Sequence, residues 1–331
     1  MRERVWVAAV ALLLSGAWQG ATAEDAYPAK PITVIVPFAA GGPTDVVTRL
    51  VGEHMSRTLG QQFVVENVGG AGGSTGMTRA AQAEPNGYTI AVGNTGTNSA
   101  APALYPNLKY DPATSFAQVG IVNYTPQAIV AKKDTQAKDL KAFLEYLKAN
   151  HEKLSYAHAG VGSTSHVSGT VFNAIYGLKP GLVAYRGTGP ALTDLVAGQV
   201  DYMLDQSLNV IPQIQAGTIK AYAIAAPERL ESLPEVPTTK ELGVDFIFSA
   251  WNVMVAPKGT PEPIVKKLVD ALNKALDDPT VKKRYVELGS TAPKPADRGP
   301  AGAQKLIESE MVRMAPALKE ALASNAPTIT K

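Results

Sequence analysis

In the first part of the chain, short runs of apolar residues alternate with segments in which apolar residues recur at helical spacing. Residues 31–36 form a β-branched run between prolines, which is typical of a buried strand. Apolar residues then recur at helical spacing over 46–59 and stop at a glycine. Further strands are predicted at 63–65 and 88–92, with a helix between them. This order predicts βαβ units around a parallel sheet.

The second part of the chain restarts the alternation. Strands are expected at 121–122, 128–131, 154–157, 182–185, 200–205, 221–225 and 253–257. Helices are expected at 140–147, in a segment ending at Ile175, at 190–197 and from Pro263 onward. We expect two α/β lobes, with the first two of these strands flanking a crossover and the C-terminal helices packing back on the first lobe.

The N-terminus has the layout of a secretory signal peptide. Arg2 and Arg4 precede ten unbroken apolar residues at 5–14, and the small residues 21–23 then predict cleavage after Ala23. An uncleaved membrane anchor is the alternative, but a bilayer span needs about 18–20 apolar residues. We therefore expect export to the periplasm.

Composition excludes several classes of site. The 331 residues include 31 Lys and Arg against 29 Asp and Glu, and a net charge of +2 gives no argument for nucleic acid binding. Without cysteine, disulfides, thiolate nucleophiles and Cys-ligated zinc are impossible. Of the four His, His158 and His166 lie eight residues apart, and no carboxylate stands at ligand spacing from them. We expect neither a metal nor a cofactor.

Two loops, residues 38–45 and 160–166, share one design. In each, a strand ends, glycines turn the chain and a helix begins on a small polar residue. Glycines allow close approach of a ligand, and the free N–H groups of a first helical turn carry the positive end of the helix dipole. Such a loop holds a carboxylate or phosphate without a cationic side chain. These loops start helices in many α/β proteins, but one in each lobe favours an anion clamped between lobes.

Other side chains near these loops are candidates for ligand contacts. Arg186 can reach a second carboxylate or form a structural ion pair. Asp205 can orient a polar ligand group or cap the next turn, and His166 can bond to a ligand or to its own loop. Three aromatic residues either line a cleft or belong to the core: Phe38, Tyr185 and Trp251.

Residues 72–76 match the Gly-x-Ser-x-Gly nucleophile elbow and place Ser74 between a strand and a helix. A secreted serine esterase is therefore an alternative, with His151, His158 or His166 as its base. Such a short pattern arises easily by chance in a glycine-rich stretch, and the order of elements after it does not resemble a hydrolase. Neither a phosphate-binding Gly-x-x-x-x-Gly-Lys loop nor a dinucleotide-binding Gly-x-Gly-x-x-Gly motif occurs here.

Several specific motifs follow one another along the chain. They are Pro-Ile-x-x-Ile-Val-Pro-Phe-x-x-Gly-Gly-x-x-Asp at 31–45, Val-Glu-Asn-x-x-Gly-Ala-Gly-Gly-x-x-Gly at 65–76, Pro-Asn-Gly-Tyr-Thr at 85–89, Gly-x-Gly-Ser-x-x-His at 160–166, Tyr-Arg-Gly-x-Gly-Pro-Ala at 185–191, Leu-x-x-Gly-x-Val-Asp at 195–201 and Ala-Pro-x-Gly-Thr at 256–260. In this order they resemble the Bug (TctC-like) family, the solute receptors of tripartite tricarboxylate transporters.

The resemblance implies an α/β fold of the two-lobe periplasmic-binding-protein type (type II-like, a Venus flytrap) joined by two crossing strands. It implies small carboxylate ligands held by main-chain groups and bridging waters of the 37–45 and 160–166 loops. We expect lobe 1 to comprise 24–123 and 247–331, and lobe 2 to comprise 124–246. The segment 93–98 lies where the family's ligand side opens, and the family varies in sequence there, so the ligand itself cannot be transferred from the resemblance.

We therefore expect a monomeric, non-enzymatic receptor that captures a small aliphatic or aromatic mono- or dicarboxylate and delivers it to a tripartite tricarboxylate-type membrane permease. A ligand-binding partner of a sensor kinase is a further alternative. The expected ligand-binding residues are Phe38, Ala39, Ala40, Gly41, Gly42, Asp45, Asn94, Gly162, Ser163, Thr164, Ser165, His166, Tyr185, Arg186 and Asp205.

Overall fold

The computed structural model describes residues 27–324, so the predicted signal peptide lies outside the described residues. In chain order the strands are β1 (Ile32–Val36), β2 (Phe63–Asn67), β3 (Thr89–Asn94), β4 (Phe116–Lys132), β5 (Ser155–His158), β6 (Gly181–Ala184), β7 (Tyr202–Gln206), β8 (Ile219–Ile224) and β9 (Ser249–Pro257). The helices are α1 (Pro43–Leu59), α2 (Ser74–Ala81), α3 (Ala101–Leu104), α4 (Leu140–Asn150), α5 (Thr164–Tyr176), α6 (Thr188–Val196), α7 (Ser207–Gln215), α8 (Glu262–Asp277), α9 (Pro279–Glu287) and α10 (Gly299–Ser324).

The strands form two sheets that share β4. In the first sheet, β1 pairs in parallel with β2 and β3, and β9 adds antiparallel between β3 and the first part of β4. In the second sheet, β5 pairs in parallel with β6 and β7, while β7 and β8 pair antiparallel with the last part of β4. The parallel βαβ units predicted from the spacing are present in both sheets.

The two strands expected at 121–122 and 128–131 are wrong as separate elements, because β4 runs unbroken from Phe116 to Lys132. Its polar positions interrupt the apolar pattern that strand prediction relies on. In the fold these positions are buried and bonded: the Asn123 side-chain amide donates to the Thr125 hydroxyl at 2.7 Å and to the Ser290 hydroxyl at 2.8 Å. Since β4 continues from one sheet into the other, it ties them together.

Each sheet carries its own apolar core. On the first sheet, β-strand residues such as Ile32 and Val34 pack against α1 and α8 through Val51 and Leu268, all fully buried. On the second sheet, a separate cluster surrounds Phe143 and includes the buried rings Tyr156, Phe172, Tyr202 and Tyr222. Each sheet is therefore covered by helices and stabilised by its own buried apolar surface.

Helix α10 crosses from one core to the other. Ala303 and Ile307, near its start, pack in the core of the first sheet. Met314 and Leu318, further along, pack in the core of the second sheet. The expected packing of the C-terminal helices on the first sheet therefore holds for α8, while the later part of α10 packs on the second sheet. Between residues 27 and 324, no helix has both the length and the apolar character needed to cross a membrane.

Candidate functional site

A cavity lies between the two sheets, where the carboxyl ends of their strands face each other. The empty space at this place, including space open to solvent, is about 300 Å³. Both sheets contribute to these walls, which are formed by Phe38, Gly42, Pro43, Thr44, Asn94, Ala159, Ser163, Thr164, Ser165, Thr188, Asp205 and Gln206. Ligands of α/β sheets bind at this edge because the loops there are free to vary while the strands hold their ends in place.

Four helices begin at this cavity. Pro43 starts α1, Thr164 starts α5, Thr188 starts α6, and Gln206 is the residue immediately before α7. A helix N-terminus carries about half a positive charge and has N–H groups without partners inside the helix. The four ends therefore make the cavity electropositive, although no Lys or Arg side chain belongs to its walls.

The helix starts leave backbone donors unused. No side chain caps the first turn of α1, α6 or α7, and only α5 has such a cap, in which the Ser163 hydroxyl accepts from the His166 N–H. A first-turn N–H that no cap satisfies needs water or a ligand. Thr44 and Thr188 stand in the first turns of α1 and α6 and in the cavity wall, so we expect their amides to be two such donors.

Asp45 shapes the first loop and does not line the cavity. Its carboxylate accepts from the Gly41 N–H at 3.0 Å, from the Arg49 guanidinium and from the Asn67 side-chain amide, which also donates to the Phe38 carbonyl. Burial raises the pKa of Asp45, but these hydrogen bonds outweigh it and the pKa lies below its usual value. The carboxylate therefore stays ionised and fixes the turn that begins α1.

His166 and His158 hold the second loop in the same way. The His166 Nδ1 accepts from the Gly162 N–H at 3.3 Å, and the His158 Nδ1 accepts from the Gly160 N–H at 3.1 Å. Burial lowers the pKa of both rings, and the nearby His158 helps to bring that of His166 to about 4. Both rings are neutral at pH 7, and of the two roles expected for His166 the structure supports the bond to its own loop.

Asn94 joins the 38–45 loop to the turn that follows β3, beside the cavity. Its side-chain amide donates to the Thr44 hydroxyl at 3.2 Å, and that hydroxyl donates to the Asn252 side chain on β9 at 2.9 Å. The Asn94 side-chain oxygen accepts from the backbone of Gly96 and Thr97. This buried network fixes the start of α1 relative to the end of β3.

The loops of the two sheets touch around the cavity and enclose it. The Ala39 N–H donates to the Arg186 carbonyl at 2.9 Å, and the Tyr105 hydroxyl donates to the Val161 carbonyl at 2.7 Å. Gly72 lies so close to Val161 that a Cβ atom at position 72 would stand 1.7 Å from the Val161 carbonyl oxygen. Only glycine is compatible with this approach.

Tyr185 and Arg186 lie outside the cavity walls. The Tyr185 hydroxyl donates to Asp194 at 2.6 Å, and burial together with this carboxylate raises the pKa of Tyr185 to about 12. The Arg186 side chain is exposed, and only its backbone carbonyl takes part in the contact with Ala39. The second-carboxylate contact expected of Arg186 gains no support from this placement.

Asp205 is the one charged side chain in the cavity wall. It is 2 % exposed, and its carboxyl group accepts hydrogen bonds from the Gln206 N–H and from the Asn209 side-chain amide. Burial raises the pKa of Asp205 to about 7, against the opposing effect of these bonds and of the Thr188 hydroxyl. A carboxyl group therefore faces a cavity that four helix N-termini make electropositive.

The structure thus brings some of the expected binding residues together and leaves others aside. In the walls are Phe38, Gly42, Asn94, Ser163, Thr164, Ser165 and Asp205; outside them are Ala39, Ala40, Gly41, Asp45, Gly162, His166, Tyr185 and Arg186. Wall residues that the sequence analysis missed are Pro43, Thr44, Ala159, Thr188 and Gln206. Thr188 and Gln206 stand where a strand gives way to a helix, and that signal was available in the sequence.

Ser74 begins α2, and its buried hydroxyl has no hydrogen-bond partner within residues 27–324. A serine nucleophile needs a base within hydrogen-bond reach, and within residues 27–324 none of the three candidate bases bonds to Ser74. The Nδ1 atoms of His151, His158 and His166 accept instead from backbone N–H groups. The geometry gives the esterase alternative no support. Trp251 belongs to the core rather than to the cleft, being 2 % exposed. Within the same residues, no three His, Asp or Glu side chains are arranged to hold a metal ion.

Comparisons with known proteins agree with this architecture. The family model described as tripartite tricarboxylate transporter family receptor matches residues 47–321. A solved structure of MatC from Rhodopseudomonas palustris with bound malate is 44 % identical, covers 88 % of this chain and 100 % of its own, and superposes with a TM-score of 0.85.

Two further solved structures are similar. The periplasmic binding protein BugD is 42 % identical, with a TM-score of 0.86, and the match covers 89 % of this chain and 98 % of that one. An R. palustris protein with adipate is 29 % identical, with a TM-score of 0.83, and the match covers 89 % and 98 % of the two chains. The predicted α/β periplasmic-binding-protein fold is thereby confirmed.

Proposed function

The chain belongs to the tripartite tricarboxylate transporter receptor family, as a periplasmic solute-binding protein of the TctC/Bug type; from this premise we propose that it captures a small organic carboxylate in the cavity between its sheets. The single observation that carries the proposal is the convergence of four helix N-termini on a cavity with no cationic side chain in its walls. Backbone donors and helix dipoles bind a carboxylate in such a place.

The starts of α1 and α5 are the proposed carboxylate contacts. The 42–45 turn presents amides from the first sheet, and the 163–166 turn presents amides and hydroxyls from the second. A carboxylate that accepts from both is held by two separate parts of the chain. Binding would therefore favour the arrangement in which these parts are close together.

The relatives support a small aliphatic acid. MatC is solved with malate and the second R. palustris protein with adipate. We therefore propose a mono- or dicarboxylate with a short aliphatic chain as the ligand.

We further propose that two lobes, 24–123 with 247–331 and 124–246, close on the ligand. The loop contacts around the cavity support this, since they join residues of opposite lobes. The closed monomer would present a surface from both lobes to membrane permease subunits of a tripartite tricarboxylate transporter. Export by a signal peptide cleaved after Ala23 would bring the chain to the periplasm, where that permease is reached.

Thermal unfolding of residues 24–331 against a panel of mono-, di- and tricarboxylates tests the proposal. A ligand present at 100 times its Kd adds about 2.7 kcal/mol to the free energy of unfolding, which gives a clear rise in Tm. No rise with any carboxylate, followed by a rise with sugars or uncharged amides, would contradict it. Uptake in a permease deletion strain separates transport from the sensor-kinase alternative, since only transport requires the permease.

A further inference from the structure

We propose that Asp205 makes this receptor selective for carboxylates that also carry a hydrogen-bond donor on the carbon chain, a hydroxyl group above all. The inference rests on the proposed function and names the class of acid within it. It concerns the part of the cavity wall formed by Thr188, Asp205 and Gln206, here called the acceptor wall.

Asp205 has acceptor capacity that the protein does not use. A carboxylate has about four lone-pair sites. In Asp205, Oδ1 accepts from the Gln206 N–H at 2.9 Å and Oδ2 accepts from the Asn209 side chain. Within residues 27–324, no Lys, Arg or His nitrogen lies within ion-pair distance of it. A charge at 2 % exposure with so few donors is costly, and a donor from the ligand would relieve that cost.

The rest of the acceptor wall points to the same need. The Gln206 side-chain oxygen is buried and accepts no hydrogen bond from residues 27–324. The Thr188 hydroxyl, which can donate as well as accept, is also buried without a partner that meets hydrogen-bond geometry, and it lies beside the Asp205 carboxyl. Unpaired buried polar atoms are rare in folded proteins, and a bound water or ligand is one explanation for them.

The cavity therefore has two chemically opposite parts. The starts of α1 and α5 offer N–H and O–H donors, which suit a carboxylate. Within the acceptor wall, the Asp205 carboxylate and the Gln206 side-chain oxygen repel a ligand carboxylate placed beside them and suit a hydroxyl or ammonium group. An acid whose chain carries a donor satisfies both parts, whereas the same acid without it leaves Asp205 unpaired.

A purely structural role for Asp205 is the competing explanation. Asn209 stands four residues after Asp205 on α7, so the pair could serve only to order the start of that helix. A structural carboxylate would affect all ligands equally. A selective one affects the ratio between an acid with a donor and its analogue without one.

The pH dependence of the affinity ratio between the two acids of a pair gives a second readout. The groups around Asp205 are the side chains of Asn209, Gln206 and Thr188 and the Tyr156 phenol on β5, and burial keeps that phenol neutral by raising its pKa. Asp205 is thus the group that titrates near neutral pH in this wall. Once protonated it becomes a donor itself, so a second carboxylate on the ligand gains affinity and the preference for a hydroxyl declines.

Isothermal titration with matched pairs of acids tests the inference: malate and succinate, lactate and propionate, aspartate and succinate. At pH 8 we expect the hydroxy acid to bind at least about 10-fold more tightly than its analogue, since a hydrogen bond to a charged group is stronger than one between neutral groups. At pH 5.5 we expect this ratio to fall at least threefold. The aspartate arm separates an ammonium donor from a hydroxyl donor.

The Asp205→Asn variant should reduce the hydroxyl preference to threefold or less at both pH values. Asp245→Asn, which removes an exposed carboxylate of the same lobe, should leave the ratio unchanged. Equal affinities within every pair in the wild type, or an unchanged ratio in Asp205→Asn, would overturn the inference and leave the proposed function standing. Failure of every acid to bind the wild type would overturn both. The affinity ratio and its pH dependence are also measured on the wild type, so the inference remains testable if the Asp205→Asn variant does not fold.

Discussion

Replacing Gly72 by alanine should prevent the loops of the two sheets from meeting. Gly72 has a backbone φ of +61°, and its Cβ position lies 1.7 Å from the Val161 carbonyl oxygen and 3.0 Å from the Ser163 nitrogen. Real Cβ atoms hardly ever approach another heavy atom within 3.0 Å. Since the obstacle is backbone rather than a flexible side chain, the two loops must move apart by more than an ångström.

The magnitude follows from the bonds that such a movement breaks. The bond from the Ala39 N–H to the Arg186 carbonyl is 2.9 Å long, and that from the Tyr105 hydroxyl to the Val161 carbonyl is 2.7 Å. An added ångström takes both beyond hydrogen-bond length. At about 1 kcal/mol each, plus part of the ligand contacts that span both loops, the closed arrangement loses about 2–3 kcal/mol. Affinity should fall about 30- to 150-fold.

Isothermal titration with the acid found in the thermal screen measures this loss. Gly177→Ala is the matched control, because its φ is +65° and nothing lies within 4 Å of its Cβ position. Both variants carry the left-handed backbone strain of alanine, about 1–2 kcal/mol, and should lose similar thermal stability from it. Only Gly72→Ala should lose affinity. If it binds within threefold of the wild type, the contact between the loops does not contribute to ligand capture.

Three further predictions concern single residues. Asp45→Asn should weaken ligand affinity about 5- to 30-fold by loosening the turn before α1, and titration calorimetry would show no such loss if Asp45 only pairs with Arg49. The pKa of His166 is lowered to about 4, so its contribution to stability is complete above pH 6.5 and is lost as the pH falls toward 4. Over that range the wild type should lose about 3 kcal/mol of unfolding free energy relative to His166→Gln, as measured by denaturant titration. Parallel pH profiles of the two proteins would refute this. Ser74→Ala should keep the wild-type Kd, and esterase turnover that disappears in this variant would restore the hydrolase alternative.

The sequence predicted the strands and helices of both sheets where the apolar pattern was regular. It failed at β4, because the polar residues Asn123 and Thr125 interrupt the apolar pattern there. Their partner Ser290 lies far away along the chain. Only the folded structure supplies the hydrogen bonds that let these residues sit inside a strand, so local pattern reasoning could not join the two halves of β4.

The candidate site was predictable where the local sequence alone indicates a loop that leads into a helix. The turns at 38–45 and 160–166 were recognised from glycines followed by a helix start, and both contribute to the cavity. Thr188 and Gln206 lie outside the predicted set because that set relies on charged side chains such as Arg186, whereas helix starts need no cation to bind an anion. The roles of Asp45 and His166 depend on hydrogen bonds to loop backbone, which residue type alone does not reveal.

The most direct test of the account is a crystal structure of the protein with the acid that stabilises it. The account predicts a ligand carboxylate within about 3 Å of backbone nitrogens in the first turns of α1 and α5, with no Lys or Arg side chain in contact. A carboxylate bound instead to the Arg186 guanidinium, or anywhere outside the cavity between the sheets, would contradict it.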